Sequence, residues 1–175
     1  MAESALVILV PEAEPLVGSF RARHDPSAAE GVPAHVTLLY PFAAPDQIDA
    51  TALDALRALF APIMPFDFAL TAARRLGDSV LYLAPEPAEP FRQLTFAIWH
   101  RFPKTPPYGA QHADIAPHLT VAQIADAATL NRVAAGFADA AHERLPIEAS
   151  ATEVSLLDNR TGRWQTNTTF PLGGI

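Results

Sequence analysis

The feature that most constrains this chain is a short pattern that occurs twice. Each copy contains histidine, an apolar residue, threonine and a second apolar residue, with proline one or two positions before the histidine: PAHVTL over 33–38 and PHLTV over 117–121. Side chains in a strand alternate between its two faces, so each copy places imidazole and hydroxyl on one face and aliphatic groups on the other. We therefore expect two strands that bury their aliphatic face and present histidine and threonine on the opposite one.

The elements around the two copies also repeat. The predicted order is strand, helix, strand, helix and two strands, followed by helix, strand, helix and two strands. The last two strands are expected over 145–157 and 164–172, joined by a turn at 159–162. This order predicts an α+β fold with two pseudo-symmetric lobes, each with a short antiparallel sheet and helices on its outer face, and an active-site cleft between the sheets.

The length of the chain is that of one ordinary domain. It has 175 residues, half of them apolar, which is enough material for a hydrophobic core. We therefore expect a single domain over 1–175, with two lobes that carry the motifs at 35–38 and 118–121. A monomer is the default expectation.

Charge and hydropathy restrict the partners and the location. Twelve basic against 19 acidic residues give a formal charge of −7, whereas duplex binding depends on neutralising many phosphates. Duplex nucleic acid is therefore not an expected partner. No segment approaches the roughly 20 apolar residues of a membrane span, and the apolar run at 6–10 has no basic flank like that of a signal peptide. We expect a cytoplasmic protein that does not bind membranes, and the absence of cysteine excludes thiolate chemistry.

The two motifs together suggest a site for a phosphodiester. If a pseudo-twofold axis relates the lobes, two histidines and two threonines meet around one small space. Histidine titrates near neutrality, so one imidazole can act as general base and the other as general acid. Threonine hydroxyls can donate to the non-bridging phosphate oxygens. The catalytic candidates are His35 and His118, the phosphate-binding candidates are Thr37 and Thr120, and the arrangement requires no metal or other cofactor.

These motifs resemble the 2H phosphoesterase superfamily, in its 2'-5' RNA ligase-like or RNA 2',3'-cyclic phosphodiesterase branch. The similarity covers essentially the whole chain, including SALVILVP, AHVTLLYPF, FDFAL, VLYLAPEP, PHLTVAQ and the closing GRW…FPL. It implies metal-independent hydrolysis of 2',3'-cyclic or 2'-5' phosphodiesters in nucleotides or short RNA ends. It also implies His35 as proton donor and His118 as acceptor, although the near-symmetry of the motifs does not itself fix that direction. Gln123 stands where many close members have arginine, which argues against recognition of a long or multiply charged RNA end.

Other interpretations of the same residues exist. The cleft could bind a nucleotide or phosphate without catalysis, or the chain could be a metal-dependent hydrolase that loses activity in a chelator. Several residues outside the motifs have both a functional and a structural interpretation. Histidines in loops either line the cleft or lie at the surface, arginines either contact phosphate or are solvated, and aromatic residues either stack on a base or pack in the core: His24, His112, Arg74, Arg75, Arg160, Arg163, Tyr40, Tyr108 and Trp164.

Overall fold

Two four-stranded antiparallel sheets form the framework of the computed structural model, which describes residues 1–110 and 116–174. The first sheet has the spatial order β2 (His35–Leu39), β1 (Ser4–Leu9), β7 (Glu153–Asp158) and β8 (Gln165–Pro171). The second has the order β5 (Leu119–Gln123), β4 (Val80–Glu86), β3 (Phe66–Leu76) and β6 (Ile147–Ala151). The motif strands β2 and β5 are therefore each an edge strand of their sheet.

Helices connect and cover the strands. They are α1 (Glu14–His24), α2 (Pro26–Ala29), α3 (Ala50–Phe60), α4 (Glu89–Arg101) and α5 (Ala127–Ala141), with short 3-10 turns at Pro11–Ala13, Pro45–Gln47 and Pro107–Ala110. Two of the longer helices, α3 and α5, begin at aspartate caps: Asp49 accepts from the Ala52 N–H at 2.8 Å, and Asp126 accepts from the Thr129 N–H at 2.9 Å. Among the described helices, none combines the length and the apolar composition needed to cross a membrane.

The two repeats interlock. The first repeat contributes β1 and β2 to the first sheet, but its next strand, β3, pairs with β4 of the second sheet. In the same way β7, from the second repeat, pairs with β1. The helices follow the same exchange, because α1 packs against β5 and α4 packs against β2. The predicted two-lobed α+β fold is confirmed, and each lobe contains elements of both sequence halves.

The single strand expected over 145–157 is wrong. The segment contains β6, which pairs with β3, and β7, which pairs with β1, so the chain crosses from one sheet to the other at Thr152. The carbonyl of Thr152 accepts a hydrogen bond from the Leu172 N–H at 2.9 Å, beyond the end of β8. The segment that was expected to be one strand therefore contributes one strand to each sheet.

The aliphatic faces of both motif strands lie in the hydrophobic core, as predicted. Val36, Leu38, Leu119 and Val121 are between 0 and 2 % exposed and belong to one buried cluster that contains residues of both sheets. Burial of side chains of this size contributes about 1.5–3 kcal/mol each. This packing fixes the direction of the opposite faces, which carry the histidines and threonines.

Candidate active site

The four motif residues lie on two edge strands that approach each other. Residues of β2 come within 8 Å of residues of β5, measured between Cα atoms. His35 and Thr37 belong to β2, Thr120 belongs to β5, and His118 precedes β5 by one position. All four side chains are partly exposed, in contrast to their buried aliphatic neighbours. The structure thus brings both histidine–threonine pairs to one junction between the sheets.

Each histidine is held by the same local hydrogen bond. The Nδ1 atom of His35 lies 2.8 Å from the carbonyl oxygen of Pro33, and the Nδ1 atom of His118 lies 2.8 Å from that of Ala116. A carbonyl oxygen can only accept, so Nδ1 carries the proton in both rings. In the neutral form, the Nε2 atom of each ring therefore carries a free lone pair. This tautomer allows Nε2 to accept a proton as a general base.

The electrostatic surroundings favour the neutral form of both histidines. Desolvation by the protein lowers the pKa of His35 from 6.5 to about 4, and the hydrogen bond to Pro33 opposes that shift only in part. The nearby Arg21 and His118 lower the pKa of His35 further, whereas Asp25 raises it. Desolvation also lowers the pKa of His118, opposed by its bond to Ala116. Without a bound anion, both rings are therefore neutral at pH 7.

Each threonine has an aromatic neighbour. Thr37 is hydrogen-bonded to the side chain of Tyr108, which lies in the segment between α4 and β5. The backbone of Tyr108 has a φ of +50°, and its N–H donates to the Tyr40 carbonyl at 2.6 Å. On the other strand, Thr120 is opposite Tyr82 of β4, whose ring makes an edge contact with the His118 ring at 5.7 Å between centroids.

A buried polar network supports the segment that leads to His35. Arg21 and Asp25 are 2 % and 4 % exposed, and the Arg21 Nε donates to Asp25 Oδ2 at 3.0 Å. Asp25 accepts from the Ser27 N–H at 3.0 Å, and so caps α2. From the start of α1, Glu14 Oε1 accepts from the N–H of Ala34, the residue before His35, at 2.7 Å. Side chains from α1 therefore fix the backbone on which His35 stands.

A cavity of about 390 Å³ opens beside His35 and Thr37. Its floor is apolar and belongs to a small buried cluster of the first sheet, which includes Val7, Val32 and Leu157. Its walls carry the aromatic rings of Tyr40 and Trp164, and Gln123 reaches it from the second sheet. Other described residues that line it are Glu3, Ala5, Pro26, Ser27, Glu30 and Asn159.

The remaining residues considered in the sequence take different positions. The arginines are engaged in contacts elsewhere: Arg74 with Glu86 at 3.9 Å, Arg75 with Asn131 at 2.7 Å, Arg160 with Asp158 at 3.0 Å and Arg163 with the Ala29 carbonyl at 3.2 Å. His24 is partly buried at the end of α1, and His112 lies outside the described residues. Within residues 1–110 and 116–174, no three His, Asp or Glu side chains converge as metal ligands would.

Sequence reasoning missed part of this site. Tyr40 and Trp164 were expected either to stack on a base or to pack in the core, and they lie in the cavity wall. The sequence contained no signal for the hydrogen bond between Tyr108 and Thr37, because this bond joins a strand to an irregular segment. Glu14, Arg21 and Asp25 do share one helical face by their spacing of seven and four residues, and that spacing was a usable signal for the buried network.

Comparison with solved structures supports the same fold. The chain is similar to E. coli LigT complexed with 3'-AMP, with a TM-score of 0.62, 18% identity and 97% coverage of both chains. It is similar to TT0787 of Thermus thermophilus, with a TM-score of 0.65, 15% identity and 98% coverage of both chains. A crystal structure described as a phosphoesterase has a TM-score of 0.59 and 20% identity, covering 98% of this chain and 99% of that one.

The family comparison covers both motifs. Among curated proteins no significant match is found. The family model described as the 2'-5' RNA ligase superfamily matches residues 9–163, a range that includes His35, Thr37, His118 and Thr120. The chain therefore belongs to the 2'-5' RNA ligase superfamily, as its twin motifs imply.

Proposed function

We propose that this protein is a metal-independent phosphodiesterase that hydrolyses 2',3'-cyclic or 2'-5' phosphodiester bonds of nucleotides or short RNA ends. The single observation that carries the proposal is the matched pair of histidines, each with Nδ1 bonded to a backbone carbonyl and Nε2 left for chemistry. A site that only binds phosphate needs hydroxyls and amides, and gives no reason for two imidazoles in the same tautomer on adjoining strands. Membership of the superfamily supports the same class of reaction.

The proposed step is an in-line displacement at phosphorus. One histidine takes a proton from water through Nε2 as the water oxygen bonds to phosphorus. The other, protonated, gives its proton to the ribose oxygen as the P–O bond breaks. Thr37 and Thr120 donate to the non-bridging oxygens, whose charge grows in the transition state. Following the resemblance, we assign His35 as donor and His118 as acceptor.

Substrate binding allows the acid to take up the proton that it needs from solvent. Desolvation lowers the pKa of both histidines in the free protein, but a phosphate anion placed against an imidazole favours its charged form and raises its pKa. In the proposed mechanism, one histidine takes up a proton as the substrate binds and acts as the acid, and the other remains neutral and acts as the base.

Nucleotides are the expected ligands. Structures of E. coli LigT are described as complexes with 3'-AMP, with ATP and with NADP+, so a protein of this fold binds nucleotides. In this chain, the side chain of Gln123 and the formal charge of −7 favour a nucleotide or an RNA terminus over a long strand.

The decisive experiment compares hydrolysis of 2',3'-cyclic nucleotides by the wild type, His35→Ala and His118→Ala. Each substitution removes one proton-transfer group and should lower kcat at least about 100-fold. His100→Ala is the matched control, because the His100 side chain is exposed on α4 and does not line the cavity beside His35. Near-full activity in either motif variant would exclude the mechanism.

Two further arms separate the alternatives. Thr37→Val and Thr120→Val should raise KM while the circular dichroism spectrum stays that of the wild type. Activity should persist in EDTA; loss of activity there, restored by a divalent metal, would establish a metal-dependent hydrolase instead. Tight binding of nucleotides with no hydrolysis of cyclic or 2'-5' linked substrates would establish a non-catalytic binding module.

A further inference from the structure

The cavity beside His35 has an aromatic corner suited to a planar ring. The rings of Tyr40 and Trp164 meet at 64° with 6.1 Å between their centroids, above a floor of buried Val7, Val32 and Leu157. Its volume of about 390 Å³ falls in the range of small-ligand pockets. Any nucleobase can stack on such aromatic surfaces. The corner by itself therefore favours a base without distinguishing one base from another.

Two carboxylates at the rim can distinguish between bases. The Tyr40 hydroxyl donates to Glu3 Oε2 at 2.9 Å, and the Trp164 Nε1–H donates to Glu30 Oε2 at 3.3 Å. The Oε1 atom of each carboxylate has no hydrogen bond to a described residue. Each aromatic ring of the corner is therefore hydrogen-bonded to a carboxylate whose other oxygen is available as an acceptor.

The position of Glu30 is built into the backbone. The Trp164 N–H donates to the Glu30 carbonyl at 2.9 Å. The next residue, Gly31, has a φ of +104°, and a Cβ there would lie 2.9 Å from the Trp164 carbonyl oxygen. Only glycine permits this close approach, which holds Glu30 against Trp164.

The described residues lining the cavity include Glu3 and Glu30 but no lysine or arginine. At these two carboxylates, an occupant that presents N–H donors is therefore favoured over one that presents carbonyl oxygens. Guanine offers two adjacent donors, N1–H and the N2 amino group. Cytosine and adenine each offer one amino group, whereas uracil has a single N3–H between two carbonyl acceptors.

We propose that this cavity is a nucleobase subsite that selects bases with an exocyclic amino group, guanine foremost, and discriminates against uracil. The inference rests on the proposed function, because His35 and Thr37 also line the cavity, so a base seated there has its phosphate at the motif face. The same two carboxylates disfavour a second phosphate on that nucleoside, which restricts the ligand to a nucleotide or a terminal residue.

The kinetic test uses the four 2',3'-cyclic mononucleotides as separate substrates. The expected kcat/KM for the guanosine substrate exceeds that for the uridine substrate by about tenfold or more, the discrimination that one good paired contact provides. Adenosine and cytidine substrates should lie between them.

Replacing either glutamate with glutamine should change kcat/KM in opposite directions for the guanosine and uridine substrates. In Glu3→Gln and Glu30→Gln, the amide oxygen can still accept from Tyr40 or Trp164, which turns the amide N–H₂ toward the cavity. That group donates to the uracil carbonyl, so kcat/KM should fall for the guanosine substrate and rise for the uridine substrate. Glu148→Gln, at an exposed position of β6 in the other sheet, is the matched control and should leave the ratio at its wild-type value.

A binding measurement keeps the inference separate from catalysis. Titration of the wild type with 3'-GMP and 3'-UMP, followed by Trp164 fluorescence with Trp164→Phe as control, should show tighter binding of 3'-GMP. Hydrolysis of all four substrates at similar kcat/KM would overturn the subsite and leave the proposed function standing. Preferential binding of 3'-GMP without hydrolysis of any substrate would remove the proposed catalysis and leave the subsite. Equal or undetectable binding of both nucleotides would overturn the subsite.

Discussion

Replacement of His35 by asparagine should make the protein less sensitive to acid. The pKa of His35 is lowered from 6.5 to about 4, chiefly by desolvation, so the unfolded chain binds this proton more tightly than the folded protein does. As the pH falls from about 6.5 to about 4, proton uptake by the unfolded state lowers the free energy of unfolding. Asparagine cannot titrate, yet its side-chain N–H₂ can still donate to the Pro33 carbonyl.

The size of the effect follows from the two pKa values. They differ by about two and a half pH units, and each unit corresponds to about 1.36 kcal/mol. The upper limit is therefore about 3 kcal/mol, and because the ring is partly exposed, solvent screening reduces the expected effect to about 2 kcal/mol. Between pH 7 and pH 4, the wild type should lose this much more stability than His35→Asn.

Urea unfolding at pH 7, 6, 5 and 4 measures the difference. The buffers must contain no phosphate or sulfate, because an anion bound at the motif face would favour the charged ring and raise its pKa. His100→Asn, at the exposed end of α4, is the control variant and should follow the wild-type pH dependence. If the wild type and His35→Asn lose stability in parallel over this range, the desolvation of His35 inferred from the structure is wrong.

Three further predictions concern the site and its support. Because desolvation lowers the pKa of both His35 and His118, the bell-shaped pH profile of kcat/KM should reach its maximum below pH 6.5; a maximum at or above pH 7 in steady-state assays would contradict this. Arg21→Met leaves Asp25 as an unpaired buried charge and should lower the free energy of unfolding by about 3 kcal/mol, with Asp25→Ala costing less when combined with it than alone; additive losses in urea unfolding would show that the two side chains are not coupled. Tyr108→Phe removes the hydroxyl bonded to Thr37 and should raise KM for cyclic nucleotides about fivefold, the value of one hydrogen bond, with little change in kcat; an unchanged KM would mean that Tyr108 does not orient Thr37.

The motif strands and most helices could be predicted because their signals are local. Alternation over five residues decided which side of β2 and β5 is buried, and Val36 and Leu119 are fully buried as expected. The helices α3 and α5 begin after the aspartate caps Asp49 and Asp126, and aspartate before an apolar periodic segment is a local signal of a helix start. None of these inferences required knowledge of which strands pair.

The crossing between the sheets was not predicted, although a signal existed. Along β6 the buried positions Ala149 and Ala151 are odd-numbered, whereas the main-core residues of β7, Val154 and Leu156, are even-numbered. Such a change of phase marks a break, because a continuous strand keeps its buried positions in one alternation. The partners of the two pieces depend on long-range pairing, which no local pattern encodes.

The details of the site lay outside local reasoning for a related reason. The bonds from Nδ1 to the carbonyls of Pro33 and Ala116 depend on the exact path of the backbone into each strand. The contact of Tyr108 with Thr37 joins residues 71 positions apart in the printed sequence. The burial of Arg21 is explained only by its buried partner Asp25, since a charged side chain in a helix is ordinarily solvated.

The two motifs are alike, but the cavity lies beside only one of them, and this difference bears on which histidine donates the proton and which accepts it. The two histidines share one tautomer and one local bond, so the motifs alone do not distinguish acid from base. The cavity, however, is lined by His35 and Thr37 of the first sheet. If the nucleoside occupies it, the departing ribose oxygen lies on the side of His35, and in-line attack brings water from the side of His118. Under the proposed function, that arrangement assigns His35 as the proton donor and His118 as the acceptor, the same assignment that the family resemblance implies on separate grounds.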